Sequence, residues 1–365
     1  MTSMNSAESF SANYPEARAR FVEAAREAGG ALERIENPNK GPDGGDLSTD
    51  VAWFGPRTAE NVLVLVSGTH GVEGFCGSGA QLDWLKRGEA ASLPAGVAAL
   101  LVHAINPYGF AWLRRVTEEN ADLNRNWIDF ASNRRPENPG YDALADAAVP
   151  QTWTAESQAA SAAVLRDYGG AHGPMALQQA LSGGQYGHPK GVFYGGAGPT
   201  WARRTQEAIY ASYLGQAGRI GLIDYHTGLG PWGYAETIMS DAVASEAFRR
   251  GQAWFGRNVT SPMDGTSTSA DIAGDNLAAA PALLPHAEVT GVALEYGTRS
   301  LAQVFLALRA DAWLHAYGDP LSPEGKAIKA QIRDAFYGDA DDWKGMVAGQ
   351  SLAATRNAVR ALSGA

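Results

Sequence analysis

The stretch V62-L-V-L-V-S-G-T-H-G-V-E-G74 sets five apolar residues ahead of a Ser-Gly-Thr turn, then a histidine, and three positions later a glutamate. A short run of Val and Leu without polar alternation reads as a strand buried on both faces, the kind found in parallel sheets. The same pattern returns at Val97–Ile105, Ile220–Asp224 and Val289–Leu294, with helical stretches such as Gln81–Arg87 and Ala242–Phe255 between the runs. That alternation predicts an α/β fold with a mixed, mostly parallel central sheet and helices on both faces. In open sheets of this kind ligands bind at the carboxyl edge of the strands, so a polar residue closing an apolar run deserves a chemical reading.

Around this frame, Tyr14 to Ala28 reads as an amphipathic helix with Ala17, Phe21, Ala24 and Ala25 on one stripe. Pro38 to Gly45 reads as a turn-rich connection. Asp129 to Gly218 is long and mixed, with a helical piece near Glu156–Asp167 and a Gly/aromatic loop, G183-G-Q-Y-G-H-P-K-G-V-F-Y-G-G-A-G198. It is expected to be an insertion, about 130–218, on the upper rim of the sheet, where loops form binding surfaces. From about 299 the chain is expected to be helical to its end, clearest at Ala302–Tyr317 and Glu324–Tyr337. No repeat or low-complexity tract interrupts residues 1–365, which therefore read as one catalytic domain.

Composition narrows the function classes. Acidic residues outnumber basic ones, 39 to 29, for a net charge of −10, which argues against nucleic acid or an anionic membrane as the main partner. No apolar run approaches the ~18 residues a bilayer span needs. Cys76 is the only cysteine, so no internal disulfide forms, and no basic and apolar leader opens the chain. These features predict a cytoplasmic protein.

His70 and Glu73 would stand in the turn after the first buried strand, where two side chains three residues apart can converge. A neutral imidazole with a carboxylate suits zinc, and catalytic zinc takes three protein ligands with one position open. In G221-L-I-D-Y-H-T-G-L-G230 another apolar run leads to a histidine, His226. Asp224, two residues earlier on the same strand face, could accept a hydrogen bond from a liganding histidine. In G291-V-A-L-E-Y-G297, Glu295 closes a fourth run, a costly place for a carboxylate that is neither paired nor working. In N106-P-Y-G-F-A-W-L-R-R-V-T-E-E-N-A-D-L-N-R-N-W127, Arg114 and Arg115 precede Asn124 and Arg125. Arginine forks grip carboxylates, and an arginine can stabilise the oxyanion formed when a carbonyl is attacked.

The ordered set of H-x-x-E, N-P-x-G, R followed by D-L-N-R-N, D-x-H and L-E resembles the zinc carboxypeptidase superfamily. That group includes metallocarboxypeptidases and the succinylglutamate desuccinylase and aspartoacylase amidohydrolases; S-G-T-H-G-V-E-G-F, N-R-N-W and D-Y-H-T-G-L-G most resemble an uncharacterised bacterial branch. The resemblance implies a zinc-carboxypeptidase-like (phosphorylase/hydrolase-like) architecture and one Zn2+ ion held by His70, Glu73 and His226. It also implies Glu295 as general base, Asn124 and Arg125 on the substrate carboxylate, and Arg115, with Arg114 as alternative, on the scissile carbonyl. Peptide-cleaving members usually add a tyrosine on a mobile loop; Tyr186, Tyr194, Tyr234 and Tyr296 are the candidates.

The implied activity is a carboxypeptidase-type reaction on short peptides. The alternative is an N-acyl amino acid amidohydrolase, and the remote one a non-catalytic zinc-binding interaction module. Against the last, every expected catalytic position is filled. The donor types would also accept other divalent ions. Competing chemistry finds no support: G-x-S-x-G, the phosphate-loop motif and H-E-x-x-H are absent. The one G-x-G-x-x-G, G228-L-G-P-W-G233, opens no helical pattern. Cys76 reads as a small packed residue and His103 as a core histidine, with facing the site as its alternative; His188 reads as a loop residue at a turn or near the substrate.

Overall fold

A computed structural model describes residues 5–132 and 134–364. Seven strands form one sheet: β1 (Ala31–Lys40), β2 (Asp46–Phe54), β3 (Asn61–Val66), β4 (Val97–His103), β5 (Arg219–Trp232), β6 (Ala235–Ile238) and β7 (Glu288–Gly297), in the order β1-β2-β4-β3-β5-β7-β6. β4, β3, β5 and β7 run parallel, while β1, β2 and β6 join antiparallel at the edges. The sheet is therefore mixed around a parallel centre.

Helices α1 (Tyr14–Glu27), α2 (Gly74–Lys86), α3 (Pro107–Ala111), α4 (Pro139–Ala148), α5 (Ala155–His172) and α6 (Pro174–Ser182) precede the middle of the sheet. They are followed by α7 (Trp201–Leu214), α8 (Glu246–Phe255), α9 (Asn276–Leu283), α10 (Leu301–Tyr317), α11 (Pro323–Phe336) and α12 (Asp341–Ser363). The absence of alternation in β3 has the expected cause. Leu63 and Leu65 face Phe21, Leu82 and Val347 of α1, α2 and α12, while Val62, Val64 and Val66 face Ile209, Leu214 and Leu284 around α7 and α9. Burying both faces of a strand removes any reason for polar alternation. A third cluster joins α4, α6, α10 and α11 through Leu144, Leu181, Leu308 and Ile332, and encloses Val192 and Phe193.

Three sequence expectations need correction. β1 continues through Pro38 to Lys40, and the tight turn is confined to Gly41–Gly45, closed by Gly41 N–H to the Gly45 carbonyl at 2.9 Å. An edge strand tolerates a proline, and the register shifts between Asn37 and Lys40 to admit it. The helix expected from Ala242 starts at Glu246, because the Ser245 side chain accepts from Phe248 N–H and caps it there. The segment after Asp129 is also more than rim. α7 lies on the sheet face, since Ala202, Ile209, Tyr210 and Leu214 form a stripe that the sheet buries. No helix of the described residues is long and apolar enough to cross a membrane.

Candidate active site

The sheet puts the ends of β3, β5 and β7 side by side, with His226 opposite Glu295 in the register of β5 and β7. After β3 the chain turns through His70 and a single 3-10 turn, Gly71–Glu73, into α2. That turn sits against the loop carrying the arginines. Gly71 N–H donates to the Arg115 carbonyl at 3.1 Å and Val72 N–H to the Arg114 carbonyl at 2.8 Å. A Cβ at Gly71 would fall 2.0 Å from the Gly109 carbonyl carbon, so only glycine lets the two backbones meet.

His70, Glu73 and His226 are all buried, and one ligand atom from each lies within 4.8 Å of the others. Each histidine has a carboxylate behind it. His226 Nδ1 lies 3.3 Å from Glu73 Oε2, and its Nε2 lies 2.9 Å from Asp224 Oδ2. His70 Nδ1 lies 3.6 Å from Asp122 Oδ1, with its Nε2 turned toward Arg115. The two nitrogens that face these carboxylates, His70 Nδ1 and His226 Nε2, are buried without a hydrogen-bond partner, and a buried nitrogen left so calls for a ligand. Asp224 is itself held by Thr69 Oγ1 at 2.8 Å and Asn276 Nδ2 at 2.8 Å.

Charges pair closely around the donors: Arg115 meets Glu73 and Asp122, and Asp224 lies against His226. Burial pulls the His226 imidazole down, yet Asp224 and Glu73 outweigh it and hold its pKa well above the usual value. His70 goes the other way, lowered well below its usual range by burial and by Arg115. Burial raises Asp122, but Arg115, His70 and Arg125 together bring it well below the usual carboxylate range. The donor set fits a divalent metal ion in ligand chemistry and burial.

Glu295 lies two residues before the end of β7, with Oε1 accepting from Leu229 N–H at 2.9 Å. Burial, then the charge of Glu73, pushes its pKa up to about 8. A carboxyl raised in this way is suited to taking and returning a proton near neutral pH.

The structure separates the two adjacent arginines. Arg115 reaches the donors, with Nε to Asp122 Oδ2 at 2.9 Å, Nη1 to Glu73 Oε1 at 2.8 Å and Nη2 2.7 Å from His70 Nε2. Arg114 turns away into a buried cluster with Asp311, at 3.0 Å, beside Lys329 and His315. Asn124 and Arg125 occupy a 3-10 turn capped by Asp122 and line the same cavity as the donors. Arg125 Nη2 donates to the Ser182 carbonyl, and its Nε is buried without a partner. Phe193 lies 5.4 Å from both Arg115 and Arg125, its ring under the two guanidinium groups.

The donors open into a cavity of about 580 Å3 bounded by α6, the 262–277 segment and α10. No tyrosine among the described residues lines it. Tyr186 donates to the Arg125 carbonyl at 2.6 Å, Tyr194 is buried nearby, Tyr296 lies in the core toward α12, and Tyr234 is half exposed. His103 is a core residue, stacked on Phe21 and 2.8 Å from Ser78 Oγ. His188 pairs with Asp142 of α4, and Cys76 is buried in α2. Reading the sequence missed Asp122, Phe193 and Asp275. Asp122 had a signal, since it opens the D-L-N-R stretch already singled out; the other two come to the cavity only through the fold.

No curated protein matches the sequence. Among solved structures, similarity extends to thrombin activatable fibrinolysis inhibitor, at 13% identity over 93% of this chain and 73% of that one, TM-score 0.46. A metallo-carboxypeptidase from Burkholderia cenocepacia matches at 13% identity over 93% and 68%, TM-score 0.40. A succinylglutamate desuccinylase from Chromobacterium violaceum matches at 14% identity over 83% and 74%, TM-score 0.38. A family model matches residues 10–350, so the chain belongs to the family described as Protein of unknown function (DUF2817).

Proposed function

We propose that this protein is a metal-dependent hydrolase that cleaves an amide or peptide bond next to a carboxylate-bearing residue. The observation that carries the reading is the convergence of His70, Glu73 and His226, each histidine backed by a carboxylate, beside a proton-accepting Glu295. Residues 1–365 would act as one catalytic domain, with 130–218 as its insertion, in the cytoplasm. His70, Glu73 and His226 would hold one Zn2+ ion, which when bound supplies Lewis-acid polarisation of water and of the scissile carbonyl.

The chain's own groups do the rest. Glu295 takes the proton of the attacking water and returns it to the leaving amine. Arg115 lies beside the donors, where its guanidinium can meet negative charge gathering on the carbonyl oxygen. Asn124 and Arg125 would hold the substrate carboxylate; both line the cavity into which the donors open.

The reaction is of carboxypeptidase type on short peptides. A second reading, an N-acyl amino acid amidohydrolase, is favoured by the walls that α6 and α10 raise around the cavity. The test is hydrolysis by zinc-loaded protein, followed by mass spectrometry, of peptides with free or amidated C-termini and of N-acyl amino acids. Glu295→Gln should retain zinc and lose turnover by a factor of 10^2 or more, of the order general-base loss produces. Turnover surviving in that variant, or equal cleavage of amidated ends, would refute the assignment.

A further inference from the structure

Cavity walls differ on the two sides of the donor set. On one side stands the Asn124–Arg125 turn. Asn276 N–H approaches Asn124 Oδ1 at 3.4 Å, and Gly274 packs on the Arg125 carbonyl. Asp275 is therefore beside the carboxylate clamp. Its Oδ1 accepts from Ser240 Oγ at 2.8 Å and from Ala278 N–H at 2.9 Å, and it faces the cavity with Ser240.

On the other side lies the backbone that follows His226. A Cβ at Gly228 would meet Phe336 at 2.9 Å and Val304 at 3.7 Å, so α10 and α11 wall the cavity next to His226. The side chains here are Leu229, Leu301, Val304, Phe305, Leu308 and Phe336, without a charge among them. Leu301, at the rim, is 53% exposed, and across the opening Met175 of α6 is 81% exposed.

The cation inventory sharpens this. Among the described residues, Arg115 and Arg125 are the arginines or lysines that line the cavity. Arg115 is bound to Glu73, Asp122 and His70, and Arg125, whose Nη groups donate to the Asn124 and Ser182 carbonyls, is the cation that the proposed function sets against the substrate carboxylate. A second carboxylate on the acyl side would be buried against α10 with no partner, at a large desolvation cost. A second carboxylate on the amine side would face Asp275.

We infer that the site takes a substrate whose acyl group is bulky, apolar and uncharged, joined to an amino acid without an acidic side chain. This rests on reading the site as an amide hydrolase. The apolar group has two sources, a penultimate residue of a peptide or a simple aliphatic or aromatic acyl chain.

The experiment compares N-acetyl-, N-succinyl- and N-octanoyl-leucine with N-acetyl-Phe-Leu and N-acetyl-Glu-Leu, using zinc-loaded full-length protein. Expected is a rise in kcat/KM of about fourfold for each methylene the wall covers, with succinyl and Glu-Leu at the bottom. Preference for octanoyl-leucine over Phe-Leu identifies a simple acyl chain, and the reverse a peptide; both uphold the inference. Phe305→Arg should lower octanoyl turnover at least tenfold and raise that of succinyl-leucine, while Phe305→Leu keeps the parent order and controls for folding. Succinyl or acetyl turned over as fast as octanoyl overturns the inference and leaves the hydrolase standing. If nothing is hydrolysed, the hydrolase reading fails, and calorimetric binding decides the acyl question: tighter octanoyl- than succinyl-leucine upholds it, equal binding overturns it.

Discussion

Lowering the pH should destabilise this fold through one buried histidine in particular. His103 ends β4, stacked on the Phe21 ring at 4.5 Å, with Ser78 Oγ 2.8 Å from its Nε2. Burial lowers its pKa to about 3, against 6.5 in an exposed chain. The folded state thus refuses a proton that the unfolded chain accepts. Stability from this group is complete above pH 6.5 and falls as the pH drops toward 3, the unfolded state binding more protons throughout that window. Between pH 6.5 and 4.5 the loss amounts to about 2 kcal/mol. The assay is urea unfolding followed by tryptophan fluorescence at half-unit pH steps, parent against His103→Leu. The variant loses some baseline stability with its Ser78 partner, but its pH slope over this window should be shallower by that amount. Carboxyls raised by burial, Glu118, Asp241 and Asp275, titrate with the opposite sign and cancel in the comparison. Equal slopes for the two proteins would refute the reasoning.

Two further outcomes follow from the same physics. Asp311 is the shared anion of Arg114 and Lys329, so Asp311→Ala strands two buried cations and should cost about 3–5 kcal/mol in chemical denaturation; a loss under 1 kcal/mol would show the cluster is not a unit. Zinc at a hundred times its dissociation constant should stabilise the protein by about 2.7 kcal/mol, seen as a chelator-reversible rise in Tm. The rise should vanish in a His70→Ala, His226→Ala double variant, and its persistence there would place the ion elsewhere.

What could be read from the chain follows from where water is excluded. β3, β4, β5 and β7 stood out because both their faces are buried. β1, reading A31-L-E-R-I-E-N-P-N-K40, is a mostly exposed edge strand, so its charges and proline hid it. Four-residue β6 is too short for any period. The candidate donors His70, Glu73 and His226, and Glu295 with them, drew notice because each interrupts or follows an apolar run, where a polar group needs a reason. Their partners did not. Thr69 meets Asp224 across 155 residues of chain, and Asp275 reaches the cavity only because α9 begins there. Local pattern carries no information about such pairings.

Where Gly71 touches Gly109, the turn that bears His70 and Glu73 and the loop that bears Arg115 are welded backbone to backbone. Neither can lengthen or shift near that weld without dragging the other out of phase, so the reactive groups must be inherited as a block. α6 and α10 are polar-tied only at single points, Ser182 to Arg125 and Asp311 to Arg114 among them, and the rest of their packing is apolar, a kind of contact that repacks after substitution. Lineages of this fold can therefore change what they bind while the chemistry beneath stays fixed.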